Sequence, residues 1–423
     1  MLRRDTDRGR PSRCGRLYGL LSLTALALGG CASEPPTIDE LHATAMQSLT
    51  AVEPTLVAFR HDLHRYPELA GAEVRTAGKV TESLTKLGFD VRTGVGGHGV
   101  VATLVGDPDG PLIAFRADMD AVAGDALDPV PYASEVDGAH HICGHDIHTT
   151  IGVGIAHGLA SIGDALPGRV MLVFQPSEEA GIGAELMLED AVFGDTKPDA
   201  IFTVHAAPFP VGQMAVLPDG MMAGRMLVDV RVSGEGDLGS AVNEIREALM
   251  QADTVGMEQI FAFQTEPFIS INLFGQADDS DGNAAVRGFV MSAGLDYRPY
   301  VEQQIRSALD DLSLDGLQMQ YSFKQALEGV NNDAATLSRA NAAIAALAPS
   351  VSVSPVPGVI PAFSEDFGSF QRSVPGVMYM LGIDNPQAGT VGFPHSPDFV
   401  ADDGAIRVGV DAMIAVILDA MRR

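Results

Sequence analysis

An α/β fold carrying a smaller α+β insert is predicted by three observations. Short apolar runs of strand length alternate with amphipathic stretches of helix length through the first half of the chain. Near residue 224 the order changes to β-α-β-β-α-β, and after about 328 the first texture returns. With 423 residues, 46% of them apolar and 19% charged, the chain is long enough for two domains and has the composition of a globular protein.

The N-terminus is a separate object. Arg3, Arg4, Arg8, Arg10, Arg13 and Arg16 precede one apolar run, LYGLLSLTALAL at 17–28. Twelve residues are too few for a mature bilayer span and suit the apolar core of a signal peptide over 1–30. The run ends in LGGC, similar to the bacterial lipobox, which implies cleavage before Cys31, acylation of that residue and a tether over 31–45. An exported, membrane-anchored lipoprotein on the periplasmic or cell-surface side is therefore expected.

The first catalytic part is expected over 46–223. VAFRHDLHRYPEL and AGKVTESLTKLGF read as helices; VVATLVG (100–106), PLIAFRADMDAV (111–122), RVMLVFQP (169–176) and DAIFTVHAA (199–207) read as strands of a largely parallel sheet covered by helices. The polar clusters QPSEEAG and HAAPFPVG fall just past strand ends, where open α/β sheets form their sites. Over 224–328, MLVDVRVSGEG, EPFISINLFGQ, AAVRGFVMSAGLDYR and LQMQYSFKQALEG read as strands, with helices SAVNEIREALMQA and YVEQQIRSALDDL among them, a ferredoxin-like order. The second catalytic part follows over 329–423.

Charge excludes some partners. The formal charge of −28 is spread along the chain, so nucleic acid and anionic lipid would be repelled by this surface.

HHICGHDIHTT at 140–150 gathers four of the eleven histidines and one of the three cysteines. A metal site, a redox cysteine and a plain polar loop are the competing readings. With Cys14 and Cys31 in the signal and anchor, Cys143 has no disulfide partner in the folded body, which favours ligation in an oxidising compartment. FRADMDA, ICGHDIH, QPSEEAG, HAAPFP and PHSPDF together offer thiolate, imidazole and carboxylate, a donor set for zinc, manganese, cobalt or nickel. The potential donors exceed one tetrahedral shell, so two metal ions sharing a bridging ligand use them better. Of the adjacent Glu178 and Glu179, one would coordinate while the other moves the proton of the attacking water. Singly, each motif is more often a solvated turn, a helix cap or a core histidine; their combination carries the case.

LHRYPEL (63–69), FRADMDA, GAHHICGHDIHTT, FQPSEEAGIGAELM, HAAPFPVG, FSEDFGSF and PHSPDF together resemble the signature segments of the amidohydrolase branch of the di-metal aminoacylase and carboxypeptidase family. That branch includes hippurate, N-acyl-amino-acid and auxin-conjugate hydrolases. The resemblance implies a di-metal exopeptidase-like catalytic domain, a lid formed by the insert, and a possible lid-mediated homodimer. It implies that Cys143 bridges two divalent ions, that His145, Glu179, His205 and His395 complete their shells, and that Glu178 is the general acid/base. Asp120 would orient a ligand histidine, Asp146 and His148 would support the centre, and Glu365 and Asp366 would brace it. The substrate class implied is N-acyl amino acids or small dipeptide-like amides.

The insert departs from that pattern. VSGEGDLGSAVNEI stands where relatives carry a lid histidine that stabilises an oxyanion, a donor worth about 3–4 kcal/mol. Asn283 and Arg298 are the substrate-binding candidates of the lid. The alternative is a non-catalytic peptide- or metal-binding lipoprotein that keeps the fold.

Overall fold

A computed structural model describes residues 35–218, 220–279, 283–293, 297–390 and 392–422. The signal run and Cys31 lie outside the described residues. The chain divides into two units, Met1–Pro35 and Pro36–Arg423, and every element below belongs to the second.

Helix α1 (Ile38–Arg65) begins well before residue 46, which shortens the expected tether. Thr37 and Glu40 form a capping box, the Glu40 N–H donating to Thr37 Oγ1 at 3.3 Å and the Thr37 N–H to Glu40 Oε2 at 2.8 Å. Leu41, Ala45, Leu49, Leu56 and Leu63 then form one buried face, so residues 38–45 are a packed turn of helix and not a spacer. Helix α2 (Val74–Lys86), the hairpin β1 (Asp90–Val95) and β2 (Gly99–Val105), and strand β3 (Leu112–Asp118) follow. After the short pair β4 (Val122–Ala123) and β5 (Ala139–His140) come α3 (His145–Ile162), β6 (Arg169–Gln175), α4 (Gly183–Glu189), β7 (Ala200–Pro210) and β8 (Gln213–Val216).

The insert supplies β9 (Gly224–Gly234), α5 (Leu238–Gln251), β10 (Ile269–Asp279), β11 (Asn283–Ser292), α6 (Arg298–Asp310) and β12 (Leu317–Leu327). The chain ends with α7 (Ala334–Leu347), β13 (Ser352–Pro355), α8 (Gly368–Gln371), β14 (Gly376–Asp384) and α9 (Gly404–Ala420).

The large sheet has the order β1-β2-β6-β3-β7-β14-β8-β13. Its centre and one edge match the largely parallel expectation: β6, β3, β7 and β14 are mutually parallel, and β13 runs parallel to β8. Antiparallel pairs flank them, because the short turn between β1 and β2 and the return of β8 beside β14 leave no room for crossovers. Strand β3 is buried at every position, as a strand covered on both faces must be. Leu49, Ile151, Ile344 and Ile414 join the core on one face, and Met187 and Phe370 on the other. HAAPFP is not beyond a strand as expected; it lies within β7, which runs on to Pro210.

The lid sheet has the order β10-β11-β9-β12, all antiparallel, the ferredoxin-like arrangement. Strand alternation turns Val228, Val230 and Val232 toward Ile245 of α5 and Ile305 of α6. The opposite face carries Arg225, Asp229 and Arg231. Ala223, Val255, Phe268, Met291 and Val359 form a separate apolar cluster where the lid and the catalytic domain meet.

Candidate metal centre

The centre forms at the C-terminal ends of β3 and β6, beside β7. Helix α3 is preceded by its N-cap Gly144, whose φ of +91° is left-handed and where a Cβ would fall 2.7 Å from that of Ala206. A side chain at 144 would push α3 off β7. The tight start brings Cys143 and the first turn of α3 against the strand ends.

Two donor sets share one thiol. Cys143, His145 and His205 form one cluster and Cys143, Glu179 and His395 another, the ligand atoms of each lying within 4.8 Å of one another. His395 Nε2 is 3.3 Å from Glu179 Oε1, and His205 Nε2 is 3.6 Å from Cys143 Sγ. The five residues expected to hold metal thus converge, although Glu179 and His395 are 216 positions apart in the chain.

Their hydrogen bonds leave the inward atoms open. His145 Nδ1 donates to the Asp120 carbonyl at 2.8 Å and His205 Nδ1 to the Ala206 carbonyl at 2.8 Å, so each Nε2 keeps its lone pair for the centre. His145 Nε2 and Glu179 Oε1 are buried without a hydrogen-bond partner. Orphaned acceptors around a thiol are what a cation site leaves behind, so the donor set fits two divalent ions. Burial and Glu179 push the Cys143 thiol up, but His145 and His205 outweigh them and bring it down to about 6. Metal-loaded protein is therefore expected to resist alkylation at Cys143 and to react once chelated. Mass spectrometry of the modified peptide reads this, and equal labelling in both states would remove Cys143 from the centre.

His148 is occupied differently. The Ala206 N–H donates to its Nε2 at 2.7 Å and its Nδ1 donates to Asp118 at 2.6 Å, so it braces β7 against β3 and has no lone pair to offer. Asp146 is turned away, accepting from Arg60 and His64, both at 2.9 Å. Asp120 differs in detail from the expectation. Its backbone carbonyl accepts from His145 Nδ1 at 2.8 Å, with a carboxylate oxygen 3.5 Å from the same nitrogen, while its carboxylate accepts from the Glu178 and Glu179 N–H groups at 3.0 and 2.9 Å. Both oxygens being engaged, Asp120 positions the glutamate pair and does not face substrate.

Glu178 is 7% exposed and lines the cavity above the cluster. Burial first, then the charges of Glu365, Glu179 and Asp366, raise its carboxyl well above the usual range. The turn presenting it is strained, with Ser177 at a φ of +58°; His395 likewise sits at +62°. Left-handed non-glycine residues at two site loops indicate that tertiary contacts dictate the backbone there. For His395 one such contact is its own N–H, which donates to the Ile142 carbonyl at 2.7 Å.

Three contributors escaped the sequence reading. Arg116, fully buried in β3, donates to Gln175, Asp118, Glu365 and Asp366 beneath the glutamate pair. An arginine inside the apolar run PLIAFRAD was the available signal, since a buried guanidinium must be paired. Glu73 is buried and accepts from the Ser177 N–H at 2.8 Å, and Arg225 reaches the cavity from the lid. No local pattern marks those two.

The lid candidates Asn283 and Arg298 lie away from this cavity in the single chain. Asn283 and Arg298 are absent from the described lining of the cavity. Strand β11 meets the cavity at Phe289 and Met291, and Asn283 opens its other end, roughly 25 Å from Met291 at the usual strand rise. Arg298 starts α6 on the helical side of the lid sheet, where its Nε donates to Glu302 at 2.9 Å.

Comparison with known proteins agrees with this geometry. An N-acetylcysteine deacetylase of Bacillus subtilis is 30% identical over 86% of this chain and 96% of its own. An IAA-amino acid hydrolase of Arabidopsis thaliana is 30% identical over 84% and 78%. The crystal structure of a dinuclear metal-binding M20 peptidase from B. subtilis superposes with a TM-score of 0.72 at 27% identity, covering 88% of this chain and 99% of that one. Since the sequence model of peptidase family M20/M25/M40 also matches residues 114–419, this chain belongs to that family of metal-dependent, amide-cleaving hydrolases.

Proposed function

We propose that the protein hydrolyses the amide bond of N-acyl amino acids or small dipeptide-like compounds, with Glu178 as general acid/base and Cys143, His145, Glu179, His205 and His395 as metal ligands. The observation that carries the reading is a thiol shared by two donor clusters, with the buried carboxyl of Glu178 beside them. When bound, two divalent cations, zinc, manganese, cobalt or nickel, would supply Lewis acidity to the scissile carbonyl and to the attacking water.

The remaining chemistry belongs to the chain. Asp120 fixes the backbone of the glutamate pair, so Glu178 is directed into the cavity while Glu179 turns to the donor cluster. The Glu178 carboxylate takes the proton of the attacking water and passes it to the nitrogen as the C–N bond breaks. The lid supplies one wall of the cavity through Arg225, Phe289 and Met291. The test is hydrolysis of a panel of N-acyl amino acids and dipeptides by metal-loaded protein, followed by release of free amine; no turnover on any member would remove the reading.

The same proposal places the protein at a membrane through a lipid on Cys31. The lipobox-like LGGC after a short apolar run supports it. Metabolic labelling with a fatty acid is expected in cells making the full chain and should vanish with Cys31→Ala; unchanged labelling removes the anchor.

A further inference from the structure

The cavity, about 750 Å³, is lined mostly by apolar residues. Arg225 is the one lysine or arginine among its described lining residues. It lies at the start of β9, paired in register with Met291 of β11, on the face of the lid sheet that α5 and α6 leave open. Its guanidinium stacks on Phe289, 4.6 Å from the ring centroid. The buried Nε has no hydrogen-bond partner.

Arg225 is also aimed. A Cβ on Gly181 would fall 2.4 Å from its Nη2, so the guanidinium lies on the tight turn that carries Glu178, where the Gly181 N–H donates to the Glu178 carbonyl. Any side chain at 181 would displace it. Phe393, two residues before the donor His395, packs with Phe261 and Phe363 in the same cavity lining, the three ring centroids 5.9–6.1 Å apart. Phe261 is 58% exposed and neighbouring Met257 70% exposed, large apolar surfaces held open at the cavity.

Building on the hydrolase reading above, we propose that Arg225 binds the free carboxylate of the leaving amino acid and that the Phe261–Phe363–Phe393 cluster takes a bulky apolar acyl group. The direction follows from Glu178. The residue that protonates the departing nitrogen lies on the Arg225 side, so the amine half of the substrate lies there and the acyl half faces the phenylalanines. On a chain with a charge of −28, a lone guanidinium in an apolar chamber is also what lets an anionic substrate settle.

The test uses metal-loaded protein and three compounds sharing one scissile bond: N-phenylacetyl-alanine, its carboxamide, and N-acetyl-alanine. Wild-type kcat/KM should favour the acid over the carboxamide by about 10- to 100-fold, chiefly through KM, as expected for a charge-assisted hydrogen-bonded pair. Arg225→Met should collapse that ratio toward one, and Arg225→Lys should restore part of it. Phe261→Ser should lower the preference for phenylacetyl over acetyl while leaving the acid-to-carboxamide ratio intact. Equal turnover of acid and carboxamide by wild type overturns the proposal without using any variant, and so does an unchanged ratio in Arg225→Met. Turnover without discrimination sinks only this inference, whereas no turnover of any compound sinks the hydrolase reading with it.

Discussion

Replacing Glu178 with glutamine is expected to lower kcat by about 10²- to 10⁴-fold, the usual contribution of a positioned general acid/base. The amide keeps the size and one acceptor of the carboxyl but cannot carry a proton. Glu178 borders the cavity, its backbone is held by Asp120, and its carboxyl is raised by burial and by neighbouring acids, so its chemistry is separable from the ligand set. Metal content measured on both proteins should be the same. Turnover within about threefold of wild type at equal metal occupancy would exclude Glu178 as the proton carrier, because a base contributing that little is below the range of such groups.

The second large effect is on stability. Arg116 is fully buried and donates to Asp118 at 2.6 Å, Glu365 at 2.8 Å and Asp366 at 3.2 Å, with Gln175 at 2.8 Å. Arg116→Met keeps the length but leaves three carboxyl groups together without their cation. Breaking a buried pair from one side costs about 3–5 kcal/mol, and here several pairs break at once. Urea denaturation of the metal-free proteins should show that loss as a lower midpoint with little change in slope. A loss under about 1 kcal/mol, the range of an exposed ion pair, would show that these carboxyl groups do not depend on Arg116. The variant should also lose activity, since Glu365 and Asp366 lie within 4.8 Å of Glu178 and set the charge around it.

The two predictions differ in how visible their residues were. Glu178 stands in an EE pair beyond a strand-like run, and the resemblance gave it a role. Arg116 stood in a quoted motif, yet its importance came from partners at 365 and 366, which no local period connects to β3. The places of Asn283 and Arg298, outside the described lining of the cavity, were hidden for a related reason. Strand β11 was legible from its apolar alternation, but alternation does not reveal which end of a strand points to the site. The expected tether over 31–45 is helical from Ile38, where the short-range Thr37–Glu40 capping box starts α1.

The sequence by itself determined the alternating α/β body, the ferredoxin-like order of the insert, and the kinds of atom offered to a metal. Those follow from side-chain periodicity and from the chemistry of thiol, imidazole and carboxylate, which are local properties of the chain. Only the tertiary structure decided that one thiol serves two clusters, that Asp120 uses its carbonyl for His145 and its carboxylate for two amides, and that Arg225 comes down over the Glu178 turn. Each depends on the direction of a lone pair or a guanidinium toward a group tens to hundreds of residues away. That direction is set when the core closes and the buried polar groups find partners.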